Sequence, residues 1–146
     1  MTTLEGTQRA LKPGMLVIAD ENKPIGLAGI MGGLNSEIRD TTESVIFESA
    51  KFARDSVRKT ARSLGKSTDA SARYEKGVDE YSTVLGMKRA LHLIEELQCG
   101  KVSSTHVDIN TGNSIEPTEM KVSISKVNGV LGITVPEEDI VRIMKN

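Results

Sequence analysis

The sequence predicts an α+β fold: a mixed β-sheet with packed α-helices, followed by a truncated small helical domain. Three observations predict it. Short apolar runs of strand length, separated by turn residues, fill the first fifty positions. From Ala53 the apolar spacing changes to that of helices. The composition, with 38% hydrophobic and 27% charged residues in 146, is that of an ordinary globular domain able to bury roughly 70% of its unfolded surface.

Residues 15–19, Met-Leu-Val-Ile-Ala, form the first strand-length run. Residues 20–24 make a polar turn closed by Pro24, and residues 25–30 resume the apolar character, so a hairpin is predicted. Gly26, Gly29, Gly32 and Gly33 punctuate the second run, a density that points to close approach of another backbone or a ligand. Residues 45–48, Val-Ile-Phe-Glu, read as a third strand with a carboxylate at its end. Ala53, Val57, Ala61 and Leu64 recur at helical spacing, Gly65 stops the helix, and its other face carries Arg54, Arg58, Lys59 and Arg62. Residues 66–80 show neither period and read as a loop. The strongest helix covers 82–98, with Val84, Met87, Leu91, Ile94 and Gln98 on one stripe and Gly100 as its stop.

Residues 101–109 read as a returning strand. The domain boundaries follow: 1–112 as one domain, 113–117 as a linker rich in turn residues, and 118–146 as the start of a second domain cut short, because about thirty residues cannot make an independent core. Within that last stretch, 120–124 alternates like a strand, 125–132 suits one or two helical turns, and Pro136 opens a helix with acids in its first turn.

Composition excludes several functions. Aromatic residues are 3% of the chain, too few for a platform that stacks single-stranded bases. A net charge of −1 excludes a surface that is wholly a nucleic-acid footprint, DNA included. The single Cys99 excludes a disulfide framework and a multi-thiolate zinc site, and it reads as a packed thiol. The first residues have no basic region followed by an apolar core, and no apolar run approaches the ~18 residues of a membrane helix. A cytoplasmic protein without a membrane partner is expected.

Charge is uneven nevertheless. Residues 51–76 hold eight bases against three acids. Such a face either meets a phosphate backbone or is a solvated helix face, and charge alone favours the second. Residues 65–68, Gly-Lys-Ser-Thr, resemble the tail of a phosphate-binding loop, but Thr60 stands where the motif needs glycine, and the segment follows a helix rather than a strand. His92 and His106 read as surface histidines. Composition and spacing assign no catalytic residue and no metal ligand.

Four segments carry more information: Ala28-Gly-Ile-Met-Gly-Gly33, Val45-Ile-Phe-Glu-Ser-Ala50, Gly65-Lys-Ser-Thr-Asp-Ala-Ser-Ala-Arg73 and Arg73-Tyr-Glu-Lys-Gly-Val-Asp79. In this order and spacing, the chain from about residue 3 to residue 109 resembles the C-terminal part of the editing domain of bacterial phenylalanyl-tRNA synthetase beta subunits. Residues 3–9 resemble the family's Leu-Asp-Gly stretch. Residues 118–146, with Val127-Asn128-Gly129-Val130-Leu131-Gly132, resemble the beginning of the small helical domain that follows.

The resemblance implies hydrolysis of tyrosine wrongly attached to tRNA(Phe), within an enzyme that attaches phenylalanine to the same tRNA. A synthetic pocket for phenylalanine cannot fully reject a ring that adds only a hydroxyl, so a second site removes the error. That site needs a buried acceptor for the phenol, which phenylalanine would leave unpaired. The resemblance assigns this role to Glu48, makes Gly32 a position where a side chain would fill the pocket, and sets Thr68 and Ala70 on the pocket wall. Arg54, Arg58, Arg62 and Arg73 are possible tRNA contacts on charge alone. The implied partners are the 3′ end of tRNA(Phe) carrying tyrosine and a synthetase alpha subunit, two of each chain forming the family's heterotetramer. No cofactor is implied for this chain; ATP and magnesium belong to the parent enzyme, with that chemistry on the alpha subunit. The family site also uses an upstream histidine in a Gly-Gln-Pro-Leu-His-Ala-Phe-type segment, and this chain begins after it. An incomplete pocket and an inactive isolated chain are therefore expected. The alternative is a non-catalytic scaffold and tRNA-binding segment of the same subunit.

Overall fold

The structure, a computed structural model, describes residues 1–111 and 119–145. The chain divides into two compact units, Met1–Asn110 and Thr111–Asn146. In the first, β1 (Val17–Ala19) and β2 (Pro24–Leu27) pair antiparallel, and β2 pairs antiparallel with β3 (Met31–Gly32). The hairpin forms where the turn residues predict it. Asp20 Oδ1 accepts from the backbone N–H of Asn22 and of Lys23, both at 2.8 Å, which closes the turn. A register shift between Ile18 and Ala19 accommodates Pro24, which has no N–H to contribute.

Two glycines explain the punctuation of the next stretch. Gly29 turns the chain between β2 and β3 with φ +67°, and an added Cβ there would meet the rings of Tyr74 and Phe52 at 3.0 and 3.1 Å. At Gly33 a Cβ would stand 2.6 Å from the Ile25 carbonyl oxygen, so backbone approaches backbone as the glycine density implied. The N-terminal segment lies beside this turn: Leu4 donates its N–H to Gly32 O at 3.1 Å, and Leu34 donates to Thr2 O at 3.0 Å.

Three helices follow: α1 (Arg54–Ser63), α2 (Asp69–Tyr74) and α3 (Glu80–Glu96). The α1 stripe buries Val57, Thr60 and Ala61, as its period requires. Val57 and Ala61 meet Leu27 and Ile30 in the core, with Phe52, Leu64 and Tyr74 packed around them. The Asp79 side chain caps α3 by accepting from Tyr81 N–H at 3.1 Å.

Several expectations are corrected. Among the described residues the sheet is antiparallel throughout rather than mixed. Residues 45–48 pair with no strand, and Ile46 is 99% exposed. Residues 101–109 and 120–122 form no strand either. Apolar alternation gives strand propensity, but a strand exists only beside a neighbour that accepts its hydrogen bonds, and no described strand runs there. Residues 66–80, read as a loop, contain α2, which is too short to show a period. The left-handed residue that follows α3 is Gln98, with φ 52°, rather than Gly100. Cys99 is exposed, not packed.

The second unit holds α4 (Ile124–Leu131) and α5 (Glu137–Lys145). Ser123 caps α4, and Gly132 ends it in the left-handed conformation. The Asn128 side chain accepts from Val135 N–H at 3.0 Å and donates to Val135 O at 3.2 Å, holding the connection between the two helices. The linker expected at 113–117 lies outside the described residues.

Candidate functional site

Three segments converge beside the core: the β2–β3 turn, the stretch that carries Glu48, and α2. Thr68 joins the first to the third. Its hydroxyl donates to Ile30 O at 2.9 Å and accepts from Ser71 N–H at 3.1 Å, while Ser71 Oγ accepts from Thr68 N–H at 2.9 Å. This reciprocal cap is why a helix begins at Asp69, and Ser71 is fully buried beneath it.

Tyr74 joins α2 to the second segment. Its phenol donates to Ala50 O at 2.9 Å, and its ring lies 5.1 Å from that of Phe52, tilted by 49°. Both rings sit over the bare backbone of Gly29. Two further bonds fasten this segment to α3: Ser49 Oγ donates to Thr83 O at 2.7 Å, and Lys51 pairs with Glu80.

Glu48 stands two residues before Ala50. It is exposed to solvent rather than buried, and it has no hydrogen-bond or ion-pair partner among the described residues. Partial desolvation raises its carboxyl above the usual carboxylate range. The Tyr74 phenol is raised too, first by burial and then by the charge of Glu48. The carboxyl is therefore within electrostatic reach of the ring.

The other predicted residues are placed less tightly. Gly32 is exposed in β3, and a Cβ there would meet only the Leu4 side chain, at 3.0 Å. Ala70 is exposed on the first turn of α2. No hydrogen bond joins any two of Glu48, Gly32, Thr68 and Ala70 among the described residues. Two open surface clefts, one around Glu95–Val102 and one along α5, involve none of the four. Sequence reasoning missed Tyr74 and Phe52. The signal for them was that Tyr74 lies within the fourth recognised segment and Phe52 two residues after the second.

The basic residues line α1 as the spacing predicts. Arg54, Arg58 and Arg62 are exposed four residues apart, opposite the buried stripe. Arg54 pairs with neighbouring Asp55 at 3.6 Å, whereas Arg58, Lys59, Arg62 and Arg73 have no ion-pair partner among the described residues. Lys66 is committed differently. It pairs with Glu5, which also binds Arg9 at 2.7 Å, and these two hydrogen bonds hold the Glu5 carboxyl at about 2. With Lys66 on Glu5 and the Thr68 hydroxyl on Ile30 and Ser71, residues 65–68 do not fit a nucleotide or its magnesium ion. No group of three His, Cys, Asp or Glu side chains stands together among the described residues. No described helix is long and apolar enough to cross a membrane.

The sequence model of the B3/4 domain matches residues 1–99. The chain is 44% identical over 150 residues to the phenylalanine–tRNA ligase beta subunit of Carboxydothermus hydrogenoformans, covering 100% of this chain and 18% of that protein. It is 40% identical over 145 residues to the subunit of the same name from Dehalococcoides mccartyi strain CBDB1, covering 99% of this chain and 18% of the relative. Against that of Syntrophus aciditrophicus the identity is 38% over 143 residues, again with 18% of the relative covered. The chain thus spans about a fifth of the length of the curated relatives it matches. With the match running through the sheet, the Glu48 segment and all three helices of the first unit, the chain belongs to the B3/4 domain family.

Proposed function

We propose that this chain is part of the editing domain of a bacterial, cytoplasmic phenylalanine–tRNA ligase beta subunit, and that the domain hydrolyses tyrosyl-tRNA(Phe). The observation that carries this reading is Glu48: a solvent-exposed carboxylate with no hydrogen-bond or ion-pair partner among the described residues, raised by partial desolvation and within electrostatic reach of the Tyr74 phenol. An acid kept for structure would have its partner in place. An acceptor for a substrate phenol would stand unpaired until the phenol arrives.

The chemistry asks little of a nucleophile. An aminoacyl ester is already activated, so a positioned water and a polarised carbonyl suffice, and no covalent intermediate is required. Thr68 has one lone pair left after its two bonds and no proton to give. It can accept from the substrate ammonium but cannot donate to the ester carbonyl. Gly32 leaves open the space beside Leu4, and Ala70 offers a small exposed wall. The charged face of Arg54, Arg58, Arg62 and Arg73 suits the phosphates of the tRNA, and aminoacylation with ATP and magnesium belongs to the wider enzyme, through its alpha subunit.

A second reading, a scaffold and tRNA-binding segment without catalysis, is favoured by the commitment of Thr68 to structural bonds. Hydrolysis separates the two. The test uses a longer beta subunit in which this chain replaces the equivalent segment. Release of tyrosine from tyrosyl-tRNA(Phe) should be lost, by ~10²-fold or more, in Glu48→Ala with its circular dichroism unchanged. Hydrolysis absent from the unsubstituted protein supports the scaffold instead, whereas hydrolysis that survives the substitution leaves editing in place and removes Glu48 from it.

A further inference from the structure

We propose that Tyr74 is a positioning residue for Glu48, its hydroxyl anchoring the Ala50 carbonyl so that the carboxyl two residues earlier stands at a fixed place beside the β2–β3 turn. The functional half of this inference rests on the editing reading; the structural half does not.

The argument begins from how weakly the Glu48 segment is held. Residues 43–53 have no strand partner and no helix of their own. Ser49 and Lys51 tie the stretch to α3. Tyr74 ties it to α2, and α2 is in turn fixed to the β2–β3 turn through Thr68 and Ile30 O. Of these three polar anchors, Tyr74 alone connects the acid to the part of the fold that carries Gly32 and Thr68, where Phe52 adds only apolar packing. A pocket wall and a recognition group on separate segments must be held in register to within a fraction of an ångström to discriminate a hydroxyl.

Ring and hydroxyl have separable tasks. The ring is seated by Phe52 and by the missing side chain at Gly29, where a Cβ would stand 3.0 Å from Tyr74 Cδ2 and 3.1 Å from Phe52 Cδ2. Both rings also pack on the core of Leu27, Ile30, Val57 and Ala61. Packing alone would be served equally by phenylalanine. The hydroxyl adds the directional bond to Ala50 O, and the influence of Glu48 charge on the phenol shows that the two groups sense each other.

The test therefore removes only the hydroxyl. In this chain, Tyr74→Phe should fold with an unchanged core. The Ala50 carbonyl carbon should shift in its nuclear magnetic resonance spectrum. The backbone order parameters of residues 47–50 should fall below about 0.6, while α1 stays near ~0.85. In the longer subunit carrying this chain, Tyr74→Phe should raise KM for tyrosyl-tRNA(Phe) by about tenfold with kcat changed far less, the signature of a displaced binding group. Unchanged order parameters and an unchanged KM would overturn the proposal while leaving editing intact. Loosened order parameters in a protein that never hydrolyses tyrosyl-tRNA would keep the Tyr74 anchor and sink the editing reading. If Tyr74→Phe fails to fold, phenol titration decides the matter. Glu48→Gln should lower the pKa of Tyr74, and an unshifted Tyr74 would refute the proximity on which the inference stands.

Discussion

At Glu48, position and stability pull in opposite directions. A carboxyl whose folded pKa lies above its unfolded value binds more protons folded than unfolded in the interval between them, so stability falls as pH rises through that interval. Partial desolvation raises Glu48 in this sense. Glu48→Gln should therefore melt at the same temperature as the unsubstituted chain or higher at neutral pH. The difference should vanish in acid, where Glu48 is protonated in both states. A melting temperature lowered at pH 7 would mean that Glu48 has a structural partner, against the recognition role. Glu5 behaves otherwise: clasped by Lys66 and Arg9, its carboxyl is lowered, so its contribution is present at neutral pH and fades toward pH 2. In sequence the two glutamates are indistinguishable. Only the resemblance singled out Glu48; Tyr74 lay within a recognised segment without a role assigned to it, because a residue whose role depends on a carbonyl 24 positions away leaves no periodic trace.

At the scale of elements, α2 depends on its cap. Six residues cannot hold a helix by propensity. Thr68→Ala removes the cap and leaves Ile30 O without its donor, and it should cost about 2 kcal/mol in urea unfolding, whereas Thr68→Ser should recover most of that. A loss below ~0.5 kcal/mol would show that α2 is held by packing alone. The opposite holds at Ile46, which is 99% exposed. Ile46→Lys should change stability by less than ~0.5 kcal/mol, and a larger loss would place Ile46 against protein in solution. These elements also mark where sequence reading succeeded. The hairpin, α1 and α3 were legible because turn chemistry and helical period are local. Residues 45–48 and 101–109 carried strand composition without a strand, since pairing belongs to a neighbour and not to the segment. Residues 66–80 hid α2 because a capping box centred on Thr and Ser looks like turn chemistry.

For the molecule as a whole, membership of the B3/4 family sets the frame, and the geometry of the first unit supplies the particulars. Three segments distant in sequence meet at the Gly29 turn, two hydroxyls hold them there, and the Glu48 carboxylate on one of them has no hydrogen-bond or ion-pair partner among the described residues. The central claim is that this carboxylate distinguishes tyrosine from phenylalanine. The most direct measurement is the ratio of hydrolysis rates for tyrosyl- and phenylalanyl-tRNA(Phe) in a beta subunit carrying this chain, with and without Glu48→Ala. Selection by a phenol acceptor predicts a ratio on the order of 10⁴ that collapses by at least ~10²-fold in the variant, chiefly through loss of tyrosyl hydrolysis. A ratio that Glu48→Ala leaves unchanged would contradict the account.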